Sequence, residues 1–241
     1  MENILLSSAV LPMVLYVFGY YRLPFIYAGL LLQLLYLFMR GISLNRMPLV
    51  GPHDTLFFLS ASIVLFALPV VGKMREKKRV MHAAVGMAIF FMALSLFSKP
   101  HNSPLPPVLR TFWFETHVAF SFFAYALFGI AAILGAMTMV KRGQEMEIVQ
   151  YKVVLVGYCF FSAAMIFGGI WAYLAWGTYW LWTPKELWTV ILWLFYSLYL
   201  HARLVPWWAG RPLSVMAVAG FGIVMFTYLG VSLFMKSSHS F

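Results

Sequence analysis

Eight apolar stretches, near residues 4–20, 24–39, 55–72, 80–97, 113–140, 150–175, 186–204 and 213–235, take up most of this chain. A stretch of about 20 mostly apolar residues is what an α-helix needs to cross the hydrocarbon core of a bilayer. No water is available there, so each stretch has to satisfy its own backbone groups, as a helix does. The expected fold is therefore all-α, a polytopic membrane bundle of about eight transmembrane helices. The first two stretches are short and carry Pro12 and Pro24, and the fifth and sixth are long enough to tilt or to project beyond the membrane. With 63% hydrophobic and 10% charged residues, the chain departs far from a soluble domain, which is about half apolar and a quarter charged. No internal repeat or low-complexity run interrupts it, and residues 1–241 read as a single integral membrane domain.

The formal charge of +10 does not mark a nucleic-acid partner, because the basic residues stand singly or between apolar runs, as topology signals do. With the N-terminus outside, alternate crossing puts eleven of the 17 basic residues on the cytoplasmic side, and the cluster 73–79 dominates that count. The positive-inside rule selects this arrangement. The N-terminus, the C-terminus and the loop between the sixth and seventh stretches then lie on the non-cytoplasmic side. Glu2 is the only charge ahead of the first apolar run, so no cleavable signal peptide is expected. Cys159, the one cysteine, lies within an apolar run; it excludes an internal disulfide and is expected to pack.

The sixth-to-seventh loop, WAYLAWGTYWLWTPKELW at 171–188, holds five of the nine tryptophans. Such rings, apolar in body with a polar N–H, suit a membrane–water boundary, and an aromatic belt is one reading of them. Their order is more specific. Thr183, Pro184 and Glu186 form a helix start, with Thr183 as N-cap, Pro184 at the first helical position and Glu186 closing a capping box. The aromatic segment then becomes a shaped loop on the rim of a helix, where a flat apolar ligand can lie. On the same side, the 40–54 loop ends with Asp54 placed to cap the third span, and the 98–112 loop, with four prolines, is expected to be semi-rigid. Either is a candidate wall of an external pocket or a plain connector.

The segment WGTYWLWTPKELW resembles the tryptophan-rich "WWD" signature of the cytochrome c assembly family, the CcsA/ResC/CcmC-type heme-handling membrane proteins. Trp176, Gly177, Trp180, Trp182, Pro184, Glu186 and Trp188 fall on its pattern, and Thr183 stands where the family has Asp. The likeness continues through YLHAR at 199–203 and SSHSF at 237–241, is best over about 113–241, and is closest to the CcsA/ResC-type subunit of cytochrome c synthase. It implies that these seven residues cradle heme b. Threonine at 183 keeps the cap and loses the charge, which leaves room for a paralogue that binds heme without completing the family's chemistry.

Six histidines carry the rest, since neutral imidazole is the good iron ligand this chain offers in quantity. By topology His117 and His239 share the side of the tryptophan loop, as axial ligands on either face of a heme must. Read without the resemblance, His117 is equally an interfacial residue and His239 a tail residue; the resemblance makes both external heme-iron ligands. His201 lies about 22 Å down its helix from Glu186, at about 1.5 Å per residue, a depth at which a titratable group is costly without a polar partner or metal. The resemblance places a heme-iron ligand there, within the membrane. His82, at matching depth in the fourth span, is either its partner or an interfacial residue. His53 and His101 read as external loop histidines.

The resemblance further implies a membrane of the bacterial plasma or thylakoid type and a heme lyase role shared with a ResB/CcsB-type partner. Its substrate is an apocytochrome c bearing Cys-x-x-Cys-His, and a thioredoxin-like thiol reductant is a possible third partner. Two alternatives stand beside it. One is a heme export or delivery module without ligase activity; the other is a non-heme structural subunit whose aromatic loop docks another membrane protein.

Overall fold

Eight α-helices follow one another in the computed structural model, which describes residues 2–72, 74–141 and 143–231. They are α1 (Glu2–Gly19), α2 (Pro24–Leu44), α3 (Pro52–Val71), α4 (Lys77–Leu96), α5 (Phe112–Val140), α6 (Gln144–Trp176), α7 (Pro184–Ala202) and α8 (Arg211–Met225). A π-helical turn, Phe226–Gly230, extends α8. Each helix covers one of the eight apolar stretches, and six are long and apolar enough to cross a membrane: α2 to α6, and α8 with its π turn. The chain is a multi-pass membrane protein. Proline or glycine punctuates most of the junctions, as backbone chemistry requires: Pro24, Pro52 and Pro184 stand at helix starts, where their missing N–H has no intrahelical acceptor to lose.

The helices sort into two compact units, Met1–Pro104 and Leu105–Phe241, and the boundary falls within the proline-rich 98–112 segment. In the first unit α1 packs on α2 and α3 on α4. A polar spine runs along the buried face of α2. Gln33 accepts the Tyr16 hydroxyl (2.6 Å) and donates to the Phe57 carbonyl (3.0 Å) and Ser60 Oγ (3.1 Å). One turn on, the Tyr36 hydroxyl donates to His53 Nε2 (3.2 Å), whose Nδ1–H donates to the Ser95 carbonyl (3.0 Å). A further turn on, Arg40 grips Asp54 through Nε and Nη2 and reaches Asn102 Oδ1 through Nη1 (3.2 Å). Both charged side chains are buried.

Three expectations change here. Asp54 does not cap α3; Gly51 stands at the N-cap, and the Asp54 carboxylate is consumed by Arg40, because α2 runs five residues past the expected end and carries that guanidinium inward. His53 is not a loop histidine; it is fully buried in the first turn of α3. His101 does lie in a loop, where its carbonyl accepts Arg46 Nη2 (2.9 Å). Cys159 is exposed on α6 rather than packed.

In the second unit α5 is the buried centre, lined by Ala124, Ala126, Ala131 and Ala132, and it packs along α6 and against α8. Small side chains allow that closeness; between helices in lipid, dispersion contacts and hydrogen bonds replace the hydrophobic drive. The antiparallel α5–α6 pair is longer than a bilayer core and delivers the tryptophan loop at its end.

Candidate functional site

Gly177 ends α6. Its φ of +74° and an N–H bond to the Tyr173 carbonyl (2.8 Å) form a left-handed cap that a residue without Cβ adopts cheaply. The chain then turns toward α7, which starts as the sequence chemistry requires. The Thr183 side chain accepts the Glu186 N–H (3.4 Å), Glu186 Oε2 accepts the Thr183 N–H (2.9 Å), and Pro184 takes the first helical position. Glu186 Oε2 also accepts the Leu181 N–H (3.0 Å), so one carboxylate oxygen holds the amides on both sides of Trp182. Trp182 itself has φ +55°, a conformation that costs an L residue about 1–2 kcal/mol, and its ring is 70% exposed.

The rings of the loop arrange themselves in pairs. Tyr173 stacks on Tyr179 (4.6 Å), Trp176 meets Trp171 edge-on (4.8 Å), and Trp180 lies 6.4 Å from Trp182. Tyr179 is 59% exposed. Among the described residues the buried Trp180 indole N–H has no hydrogen-bond partner, an arrangement that costs about 1–3 kcal/mol unless an acceptor arrives. Trp188 turns instead to the α7–α8 seam, edge-on to Phe226 (4.5 Å), where it serves helix packing.

His117 lies two turns into α5. Its Nδ1–H donates to the Ala164 carbonyl of α6 (2.8 Å), which fixes the neutral tautomer with the lone pair on Nε2. Nε2 has no hydrogen-bond partner among the described residues. The ring lies flat against Gly168, where a Cβ would come within 2.6 Å of Nδ1. The next residue, Gly169, faces the loop: a Cβ there would lie 3.8 Å from the Tyr179 carbonyl oxygen. The loop thus folds back along α6 to the level of His117, about 12 Å from Trp176 at about 1.5 Å per helical residue. Around it stands an aromatic wall, Trp113 and Phe120 against Phe167 and Phe114 against Trp171. The Trp171 N–H donates to the Val108 carbonyl (2.8 Å), tying the proline-rich segment to the site.

His201 sits in the last turn of α7, exposed, with Nδ1–H donating to the Ser197 carbonyl (2.7 Å). It shares the tautomer of His117 and likewise presents Nε2. Above it the α6–α7 seam is polar: the Tyr158 hydroxyl meets Ser197 Oγ (2.6 Å), and the Trp193 N–H donates to Ser162 Oγ (3.0 Å). His82 belongs to the first unit, in the second turn of α4, with its ring 4.9 Å from that of Tyr20 and its carbonyl accepting the Tyr20 hydroxyl (3.0 Å). His239 lies outside the described residues.

Of the residues expected from sequence, His117, Trp176, Gly177, Trp180, Trp182, Pro184 and Glu186 converge on one end of the second unit. Trp188 lies in a helix seam and His201 near the far end of α7. Sequence reasoning placed Trp171 in the aromatic stretch without seeing its part in the wall, and it missed Ala164, Gly168 and Gly169, which set the ring. The one signal for them is the glycine doublet at 168–169 inside an apolar run.

Residues 49–239 match the family model described as Cytochrome C assembly protein. The cytochrome c biogenesis protein CcsA of Chlamydomonas reinhardtii is 30% identical over 230 residues, covering 88% of this chain and 65% of that protein. CcsA of Prochlorococcus marinus strain AS9601 is 29% identical over 260 residues, covering 91% and 84%. Among solved structures, the cytochrome c heme lyase CcmF matches with a TM-score of 0.65 over 96% of this chain and 48% of its own. At 18% identity that likeness is one of fold. The chain spans about two thirds of the algal relative and half of CcmF.

Proposed function

Because this chain belongs to the cytochrome c assembly family, we propose that it serves cytochrome c maturation by binding heme b beneath its tryptophan loop and presenting it at the non-cytoplasmic face. The observation that carries the reading is His117. Its Nδ1–H is committed to Ala164, its Nε2 lone pair is uncommitted, and it sits at the level of an exposed aromatic loop. The residues suit the group. A porphyrin needs an axial nitrogen donor, flat apolar walls, and a donor for its carboxylate edge, for which the orphaned Trp180 N–H is available. In this reading His239 would supply a second nitrogen to hold the iron.

When bound, heme contributes the two vinyl groups across which the thiols of an apocytochrome Cys-x-x-Cys-His segment add; each S–H hydrogen passes to the other vinyl carbon. The chain supplies no thiol to that step. His117 orients the substrate through the metal, the tryptophan and tyrosine rings exclude water, and the rigid loop holds the reacting edge in place. His201 receives heme at the cytoplasmic end, with a residue of a ResB/CcsB-type partner as its counterpart. The sidedness rests on the eleven basic residues that alternate crossing assigns to the cytoplasmic side, Arg22, Lys73, Arg75, Lys77, Lys78, Arg79, Lys141, Arg142, Lys152, Arg203 and Arg211. A thioredoxin-like reductant would keep the apocytochrome thiols free. Thr183, uncharged at the cap, favours a second reading, heme delivery without ligation.

The test is an absorption spectrum of the detergent-purified chain, oxidised and dithionite-reduced, with a pyridine hemochrome assay. A low-spin b-type spectrum that His117→Ala abolishes is the expected result. No heme, even after co-expression with the partner, overturns the proposal. His201→Ala is expected to lower heme at both sites, and thioether formation on a Cys-x-x-Cys-His peptide separates ligase from delivery.

A further inference from the structure

We propose that Glu186 is a positioning residue: its carboxylate latches the tryptophan loop so that Trp182 is held in its left-handed conformation with the ring presented outward. The inference rests on the heme reading above only for what the ring contacts. The latch itself is a matter of hydrogen bonds. A single oxygen, Oε2, accepts the N–H of Leu181 (3.0 Å) and of Thr183 (2.9 Å), the residues on either side of Trp182.

A capping box needs only the second of these bonds. The first is additional, and it bends the chain back on itself across Trp182. A bulky residue takes a positive φ only when its surroundings over-determine it, and such strain gathers where a side chain is presented for use. The surroundings here are that one oxygen, backed by a helix start that fixes where Glu186 stands. Pro184 and the Thr183 cap rigidify the anchor. The loop on the other side of Trp182 has its own fixed end at Gly177. Removing the carboxylate would free both amides and let Trp182 relax to negative φ, swinging its ring away from that of Trp180, now 6.4 Å off. Glu186 therefore acts through Trp182 and not by touching the substrate; the latch needs an acceptor oxygen at this position, and the charge strengthens it.

The test uses the full-length chain in detergent with three variants, E186Q, E186A and W182A, and two readouts. Amide hydrogen exchange over the loop, read without any ligand, is expected to rise about 10- to 100-fold at Leu181 and Thr183 in E186A, the factor expected from losing charge-assisted bonds. The helical Leu187 amide, which donates to the Thr183 carbonyl, should stay protected, showing that α7 remains folded. E186Q keeps an acceptor oxygen without the charge and should exchange faster than the parent but by a clearly smaller factor than E186A. In titrations with heme, E186A and W182A should weaken binding by similar factors, and the double variant by no more than either alone. Unchanged exchange in E186A, or E186Q as damaging as E186A, or fully additive heme losses would overturn the latch. If the parent binds no heme, the heme proposal fails while the exchange experiment still decides the latch.

Discussion

Replacing Gly168 and Gly169 one at a time by alanine separates the setting of His117 from the general benefit of alanine in a helix. Both positions gain helix propensity of about 1 kcal/mol from the change. They differ in what the new methyl meets. At 169 it would lie 3.8 Å from the Tyr179 carbonyl oxygen, an ordinary contact; at 168 it would lie 2.6 Å from His117 Nδ1 and 2.9 Å from Cε1. Restoring an ordinary separation of about 3.4 Å requires the ring to retreat by about 0.8 Å. The Nδ1···Ala164 bond, now 2.8 Å, would lengthen to about 3.6 Å and cease to be one. Losing it costs about 1 kcal/mol, and forcing the methyl into packed space about 1–3 kcal/mol more. Gly168→Ala should therefore be less stable than Gly169→Ala by about 2–4 kcal/mol. It should also lose the tautomer and position of Nε2. The assay is thermal unfolding in detergent together with the reduced and oxidised heme spectrum. Gly169→Ala should keep the parent's spectrum and gain about 1 kcal/mol of stability; Gly168→Ala should lose its low-spin signature and regain it with millimolar imidazole, which supplies the displaced nitrogen. Identical spectra and stabilities for the two variants would refute the assignment of Gly168 as the seat of the ring.

Further outcomes follow from the same contacts. Asp54→Ala or Arg40→Ala strands a buried charge and should destabilise the first unit by about 3–5 kcal/mol, whereas Arg40→Met with Asp54→Leu should be nearly neutral, as thermal unfolding of the three variants will show. Thr183→Ala should cost about 1 kcal/mol through the lost cap, while Thr183→Asp keeps the cap; a change in heme affinity in the aspartate variant alone would isolate the effect of charge at that position. Trp171→Phe keeps the wall but removes the N–H bond to Val108, so limited proteolysis within 105–111 should accelerate while α5 and α6 resist.

Much of the fold was legible because hydrocarbon leaves a chain few options. Each of the eight apolar stretches became a helix, and the start of α7 came out with its cap, its proline and its capping box as local chemistry required. Local rules read local structure well where the partners lie within four residues of one another. They failed at Asp54, which has the right place for a cap and a better partner, Arg40, 14 residues away on another helix. They failed again at His53, whose polar neighbours in sequence suggested a loop, while its real partners, Tyr36 and Ser95, come from helices on either side.

The division is clearest at the site itself. Spacing and residue type, read with the family likeness, determined that a chain this apolar would cross a membrane many times and carry an aromatic loop on a helix rim. They could not determine that Gly168 makes room for the His117 ring, that the Ala164 carbonyl selects its tautomer, or that Trp171 ties down Val108 from 63 residues away. Those facts depend on the register of α5 against α6. Apolar helices leave that register open to any rotation or slide, until close packing of small residues and a few interhelical hydrogen bonds fix one choice.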